Sequence, residues 1–188
     1  LFAVPILGFL VWYIQQPFQI LLHGYQLNRI LAFLNPSEYQ QTTANQQYNS
    51  VMAIGSGMIT GKGLNNNTIT SVKGGNFISE QQTDFIFSVI GEELGFIGSC
   101  ITILLLAAIV FECLKVAKNA SNMSGRLIAC GVASMIAFQS FVNIGVATNL
   151  LPNTGLPLPF ISYGLSALLA NMVGIGLVIN IDLQKGRR

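Results

Sequence analysis

The chain has 188 residues, of which 52% are hydrophobic and only 9% charged, with nine Lys and Arg against seven Asp and Glu. A soluble domain carries about 25% charged residues, so this composition excludes a water-covered surface over most of the chain and makes a lipid bilayer its solvent. The net charge of +2 and the scatter of the basic residues, which form no continuous stripe, argue against a nucleic-acid partner.

The first residues are apolar from Leu1 onward, without a basic leader or a small-residue cleavage site, so the chain reads as the C-terminal part of a longer membrane protein and not as one opening on a signal peptide. Spans are expected at about residues 1–15, 84–112, 127–147 and 160–181, and the stretches 94–111, 127–147 and 160–181 contain no charge. About 20 apolar residues cross a bilayer as a helix. A soluble helical core would instead need a polar face at period 3.6 on each helix, which these stretches lack. The expectation is an all-α, polytopic transmembrane helix bundle forming one domain over residues 1–188, with a large external loop at 16–83. Lys115, Lys118 and Arg126 between the second and third spans, with Lys185, Arg187 and Arg188 in the tail, place six of the nine basic residues on one side. By the positive-inside rule that side is cytoplasmic, and the loops at 16–83 and 148–159 face outward.

Within the external loop, Leu27, Ile30, Leu31 and Leu34 recur at i, i+3, i+4 and i+7 before Asn35-Pro36 stops the pattern. This predicts an amphipathic helix lying along the membrane surface against lipid. A second short helix is expected at about residues 44–54, followed by Gly55, Gly57, Gly61 and Gly63, which break regular structure, and a polar, turn-rich tract at 65–75. The segment from Gly57 to Gly63 differs from a phosphate-binding P-loop. Three residues, not four, separate Gly57 from Gly61, and Gly63 follows Lys62 where Ser or Thr is required. A glycine-rich backbone can still approach a phosphate and Lys62 can neutralise one; Lys62 can equally be a solvated loop charge.

Asp84 stands where the outer loop meets the second span, a depth at which charge is costly. Two readings stay open: a helix-capping carboxylate meeting backbone N–H groups and the helix dipole, or a chemical group. Ser79 and Gln82 could form a capping box slightly earlier. Glu92 and Glu93 follow, either lining a polar cavity in the bundle or lying wet ahead of a span that starts at Leu94. Gly91, Gly95 and Gly98 would permit close helix packing. Gln139, Ser140 and Asn143 lie within the third span and need partners on other helices. Three prolines in residues 151–164 rigidify the approach to the last span. Cys100, Cys113 and Cys130 lack CxxC spacing and read as small buried apolar groups. His23 is the single histidine, which argues against a His-based metal site.

Taken together, residues 25–36 (YQLNRILAFLNP), 53–63 (AIGSGMITGKG), 83–95 (TDFIFSVIGEELG), 143–145 (NIG) and 151–164 (LPNTGLPLPFISYG) resemble the C-terminal half of the SEDS family, the FtsW, RodA and SpoVE proteins. The departures are Met58 for a glycine, Ser79 for a proline, Ser88 for an alanine and Leu165 for a second glycine. The resemblance implies a ten-span peptidoglycan glycosyltransferase that polymerises lipid II into glycan strands outside the membrane, during cell division or elongation, with polyprenyl diphosphate as leaving group. It carries the family's essential aspartate over to Asp84 as general base. It makes Arg29 and Lys62 candidates for holding the diphosphate, and Glu80, Thr83 and Ser162 candidate substrate contacts. No cofactor is demanded, although a divalent metal ion could share the diphosphate. The implied partner is a class B penicillin-binding protein. The rival readings are a lipid II flippase and a non-catalytic scaffold of the division or elongation machinery.

Overall fold

A computed structural model describes residues 29, 31–33, 43–64 and 82–185. The predicted first span, Glu80, the 65–75 tract and the final arginines lie outside the described residues. The chain divides into two compact units, 1–45 and 46–188. In the first, Arg29 and residues 31–33 are helical, with Arg29 half-buried and Ala32 buried.

The described elements are all helical: α1 (Thr43–Ser56), α2 (Ile86–Asn119), α3 (Met123–Ala147) and α4 (Leu165–Lys185). The last three are long and apolar enough to cross a membrane. α2 is two helical runs joined at Gly95, whose backbone is non-helical; the second run, residues 96–119, reaches about 36 Å at about 1.5 Å per residue, enough for a hydrocarbon core of about 30 Å. The uncharged stretch 94–111 is long enough to cross such a core, with Glu92 and Glu93 just before it and Lys115 and Lys118 after it.

α2 packs against α3, and α4 packs against both. Small side chains set the spacing at one end, where Cys113, Ala117, Ala129 and Ala133 bury against Val178. Without bulky groups the backbones come close and gain dispersion contacts that lipid tails cannot match. All three cysteines are free thiols, and Cys113 is buried in this cluster. At the opposite end Phe87, Leu106, Ala147 and Leu158 form one cluster, and Ala53, Phe85, Val142 and Val146 another.

α1 is held on the end of α3 and the loop after it by polar side chains that donate to backbone carbonyls there. Gln47 Nε2 donates to Val146 O (3.3 Å) and Leu151 O (2.8 Å), and Ser50 Oγ donates to Ala147 O (2.8 Å). The α4 helix starts at Leu165, five residues later than the sequence pattern suggests. Phe160 has φ +65°, and the proline-rich stretch before it stays irregular. Large apolar side chains such as Phe96, Leu104, Phe111, Phe138 and Leu169 are exposed along the helices, a surface suited to lipid or to further helices.

Candidate functional site

The site is built where α2 begins. Residues 82–85 form a turn ahead of Ile86, and the N-cap position is Phe85, which makes no side-chain hydrogen bond to the helix. Four successive carbonyls of this turn are each taken by a donor. Gln82 O accepts from Tyr163 N–H at 2.9 Å. Thr83 O accepts from Ser162 Oγ at 2.6 Å. Asp84 O accepts from Asn143 Nδ2 at 2.8 Å. Phe85 O accepts from the backbone N–H of Ser88 at 2.9 Å and from its Oγ at 2.6 Å. The first three donors come from α3 and the loop at 151–164, so Asp84 is fixed from one side by a separate part of the chain.

That loop is itself stiff. Asn153 Oδ1 accepts from Gly155 N–H (3.1 Å), closing an Asx-type turn. Asn143 Nδ2 also donates to Leu156 O (2.7 Å), and Ser162 Oγ accepts from Leu158 N–H (2.7 Å). Asn143 is 1% exposed. The amide placed in the third span by sequence therefore finds its partners on the α2 turn and the outer loop. Ser140 instead satisfies itself on its own helix, donating to Ile136 O at 2.8 Å.

Two turns further into α2 the helix is interrupted. Gly95 has φ +67° and ψ −163°, a left-handed conformation that glycine alone enters cheaply. In an unbroken helix Phe96 N–H would bond Glu92 O, and Ile97 N–H would bond Glu93 O. Here the loop after α1 takes both pairs. Lys62 N–H donates to Glu92 O (2.9 Å) and Gly63 N–H to Glu93 O (3.1 Å). Phe96 N–H donates to Met58 O (2.9 Å) and Ile97 N–H to Ile59 O (3.2 Å). No backbone group of the exchange is left unpaired, which is what a break at membrane level requires.

The glycines explain why the loop fits. A Cβ on Gly61 would fall on Glu93 O, one on Gly57 on Gly91 O, and one on Gly95 on Gly61 N. Gly91 thus admits α1, the close helix packing expected from the sequence, and Gly95 admits the loop that follows it. Across this junction Lys62 Nζ pairs with Glu92 Oε1 at 2.7 Å, with the side chains 26% and 4% exposed. Glu92 is therefore not wet; it is buried against a cation supplied by the inserted loop.

Of the residues singled out by sequence, Asp84, Thr83 and Ser162 come together in one hydrogen-bonded cluster, and Lys62 stands at the Gly95 break. Arg29 belongs to the other compact unit, and Glu80 is outside the described residues. Among the described residues, no three His, Cys, Asp or Glu side chains gather as metal ligands. The residue that sequence reading passed over is Asn143, treated there as interhelical glue; its signal was an amide in an otherwise apolar span.

The "Cell cycle protein" family model for FtsW, RodA and SpoVE matches residues 1–187. The chain is 40% identical over 182 residues to the probable peptidoglycan glycosyltransferase FtsW of Geobacter sulfurreducens (strain DL-1 / KN400), covering 97% of this chain and 45% of that protein. It is 38% identical over 163 residues to stage V sporulation protein E of Bacillus subtilis (strain 168), covering 87% of this chain and 43% of that protein. A solved structure described as showing structural coordination of polymerization and crosslinking by a peptidoglycan synthase complex superposes with a TM-score of 0.71 at 30% identity, covering 98% of this chain and 47% of the solved one. The chain thus spans about half the length of the relatives it matches. On the family match and on these identities, it belongs to the FtsW/RodA/SpoVE family of multi-pass membrane proteins.

Proposed function

We propose that the full protein is a peptidoglycan glycosyltransferase of the cytoplasmic membrane, with the ends of α2 and α4 at Lys115 and Lys185 toward the cytoplasm and the Asp84 turn toward the outside. It works beside a penicillin-binding protein of class B that cross-links the new strand. The observation that carries the reading is the turn at Asp84. A carboxylate stands at the mouth of an apolar span on a backbone pinned at three consecutive carbonyls, in the TDF motif of a family whose relatives are named for this activity.

In the proposed step a hydroxyl of the acceptor sugar attacks the anomeric carbon of lipid-linked donor. The Asp84 carboxylate takes the hydroxyl proton, the new C–O bond forms, and the bond from carbon to the diphosphate oxygen breaks with its electron pair going to polyprenyl diphosphate. Cations stabilise that developing charge. Lys62 is one candidate and Arg29 another. Glu92, which pairs with Lys62, lies eight residues beyond Asp84 in sequence. A divalent ion on the diphosphate would take its remaining ligands from the substrate or from elsewhere in the protein.

Asp84→Asn tests the reading. Asn is about as good as Asp at a helix start but carries neither charge nor basicity. Full-length protein with its partner, given lipid II, is expected to make glycan strands, and the Asn variant to make at least a hundredfold less with unchanged thermal stability, since a positioned base contributes about 10²–10⁴ in rate. Near-normal synthesis by a stable Asn variant would remove Asp84 from the chemistry and favour lipid II transport or scaffolding.

A further inference from the structure

Ser162 was a candidate substrate contact by its place in the PFISYG stretch, yet its hydroxyl is engaged on both sides inside the protein. It donates to Thr83 O at 2.6 Å and accepts from Leu158 N–H at 2.7 Å. A hydroxyl has one proton to give, and this one is given to the carbonyl immediately before Asp84. On either side of that bond, Tyr163 N–H holds Gln82 O at 2.9 Å and Asn143 Nδ2 holds Asp84 O at 2.8 Å. The three donors are not interchangeable decoration on a loop. Each takes a successive carbonyl, so together they define the peptide planes that flank the Asp84 Cα and hence the direction in which its side chain leaves the backbone.

The anchoring side is rigid where it needs to be. Leu158 and Pro159 are fully buried, Leu158 belongs to the cluster with Phe87 and Ala147, and Asn143 ties the same turn to Leu156 O at 2.7 Å. The orientation of the Asn143 amide follows from its partners: both are carbonyls, so the nitrogen must face them. Its buried Oδ1 accepts no hydrogen bond among the described residues.

We propose that Ser162, with Asn143, is a positioning residue for the Asp84 carboxylate, acting through the backbone of residues 83 and 84 and not through contact with substrate. The proposal rests on Asp84 being the base of the glycosyl transfer. Its consequence is a separation of kinetic constants. A substrate contact that is equally strong before and during the reaction changes KM alone, whereas a displaced base changes kcat. A misplacement of about 1 Å costs on the order of a hundredfold in rate.

The test is steady-state glycan synthesis from lipid II by the full-length protein with its partner, comparing wild type with Ser162→Ala, Ser162→Cys and Ser162→Thr, alongside thermal unfolding of each. Ile136→Val, a trimmed core residue on α3 away from the turn, serves as the stability control. Expected are a ten- to hundredfold fall in kcat for Ser162→Ala with KM within about twofold, a smaller fall for Ser162→Cys with its weak S–H donor, and recovery of most activity in Ser162→Thr. Ile136→Val is expected to keep kcat at a comparable loss of thermal stability. A rise in KM with kcat intact would put Ser162 on the substrate and overturn the proposal, as would full activity in Ser162→Ala or an equal kcat loss in Ile136→Val. Should Ser162→Ala fail to fold, the same split in Ser162→Cys decides. The polymerase reading fails separately, if wild-type protein makes no glycan or Asp84→Asn still does.

Discussion

At the scale of single residues, the pair formed by Lys62 and Glu92 carries two possible duties that a single substitution cannot separate. With Glu92 Oε1 2.7 Å from Lys62 Nζ and its side chain 4% exposed, removal of the lysine charge takes this ion pair from a buried carboxylate. Breaking a fully buried pair costs about 3–5 kcal/mol; because Lys62 keeps 26% exposure, about 1–3 kcal/mol is the expected cost here after solvent screening. Lys62→Gln should therefore unfold more easily as well as use lipid II poorly. The double variant Lys62→Met with Glu92→Leu replaces the pair by apolar groups of similar size, a change that is often neutral for stability. It should regain the thermal stability lost in either single variant. If the ammonium also holds the diphosphate, glycan synthesis by the double variant stays at least tenfold down, since one charge-assisted contact is worth about 1.5–3 kcal/mol. Recovery of both stability and synthesis would make the pair a structural clasp alone.

At the scale of elements, the break in α2 and the loop that fills it form one unit, and the glycines should respond according to what each one touches. Gly61 has φ +80° and Gly95 φ +67°, and a Cβ on either would strike the backbone of the other segment. A positive-φ backbone costs an L-residue about 1–3 kcal/mol and forced overpacking about 1–3 kcal/mol, so Gly61→Ala and Gly95→Ala should each destabilise by about 2–6 kcal/mol. Gly55 lies in α1 with nothing near its Cβ position, and Gly55→Ala should be neutral or slightly stabilising by helix propensity, about 0.5–1 kcal/mol. Thermal unfolding of the three variants checks the ranking; equal tolerance at all three positions would deny that the loop is seated in the break. Much of this unit was legible in the sequence as pieces. The 44–54 helix appears as α1, the three uncharged stretches appear as α2, α3 and α4, and the glycines at 57, 61 and 63 lie beyond regular structure, whereas Gly55, expected to break it too, stays inside α1. What could not be read was the exchange itself. Hydrophobic periodicity reports which face a helix buries, whereas the swap of two hydrogen-bond pairs between residues 58–63 and 92–97 is a tertiary event with no periodic trace. The same holds for the bond from Ser162 to Thr83, which joins residues 79 apart in sequence and is recorded by no local pattern. Glu92 illustrates the limit from the other direction, since its burial depended on a cation 30 residues away.

At the scale of the whole molecule, the three long helices alternate in direction. Tyr163, just before α4, bonds Gln82, just before α2, while a Cβ on Gly125 near the start of α3 would sit 3.1 Å from Ile181 near the end of α4. The starts of α2 and α4 therefore share one end with the finish of α3, and the Asp84 turn, the proline-rich loop and the Gly95 break all gather there. Lys115, Lys118 and Arg126 gather at the opposite end, near the close of α4. Basic residues next to span ends tend to be retained on the cytoplasmic side, so the proposed orientation rests on charge and would put the site at the outer face, where the proposed lipid-linked sugar would be met. Both ends offer exposed polar positions for labelling, Thr154 in the proline-rich loop and Asn122 between α2 and α3. In full-length protein with Cys100, Cys113 and Cys130 replaced, a cysteine at 154 should react with a membrane-impermeant thiol reagent in intact spheroplasts, and a cysteine at 122 should react only after the membrane is opened. The reverse pattern would place Asp84 on the cytoplasmic side, where it could not serve strand synthesis outside the cell, and the proposed chemistry would fall with the orientation.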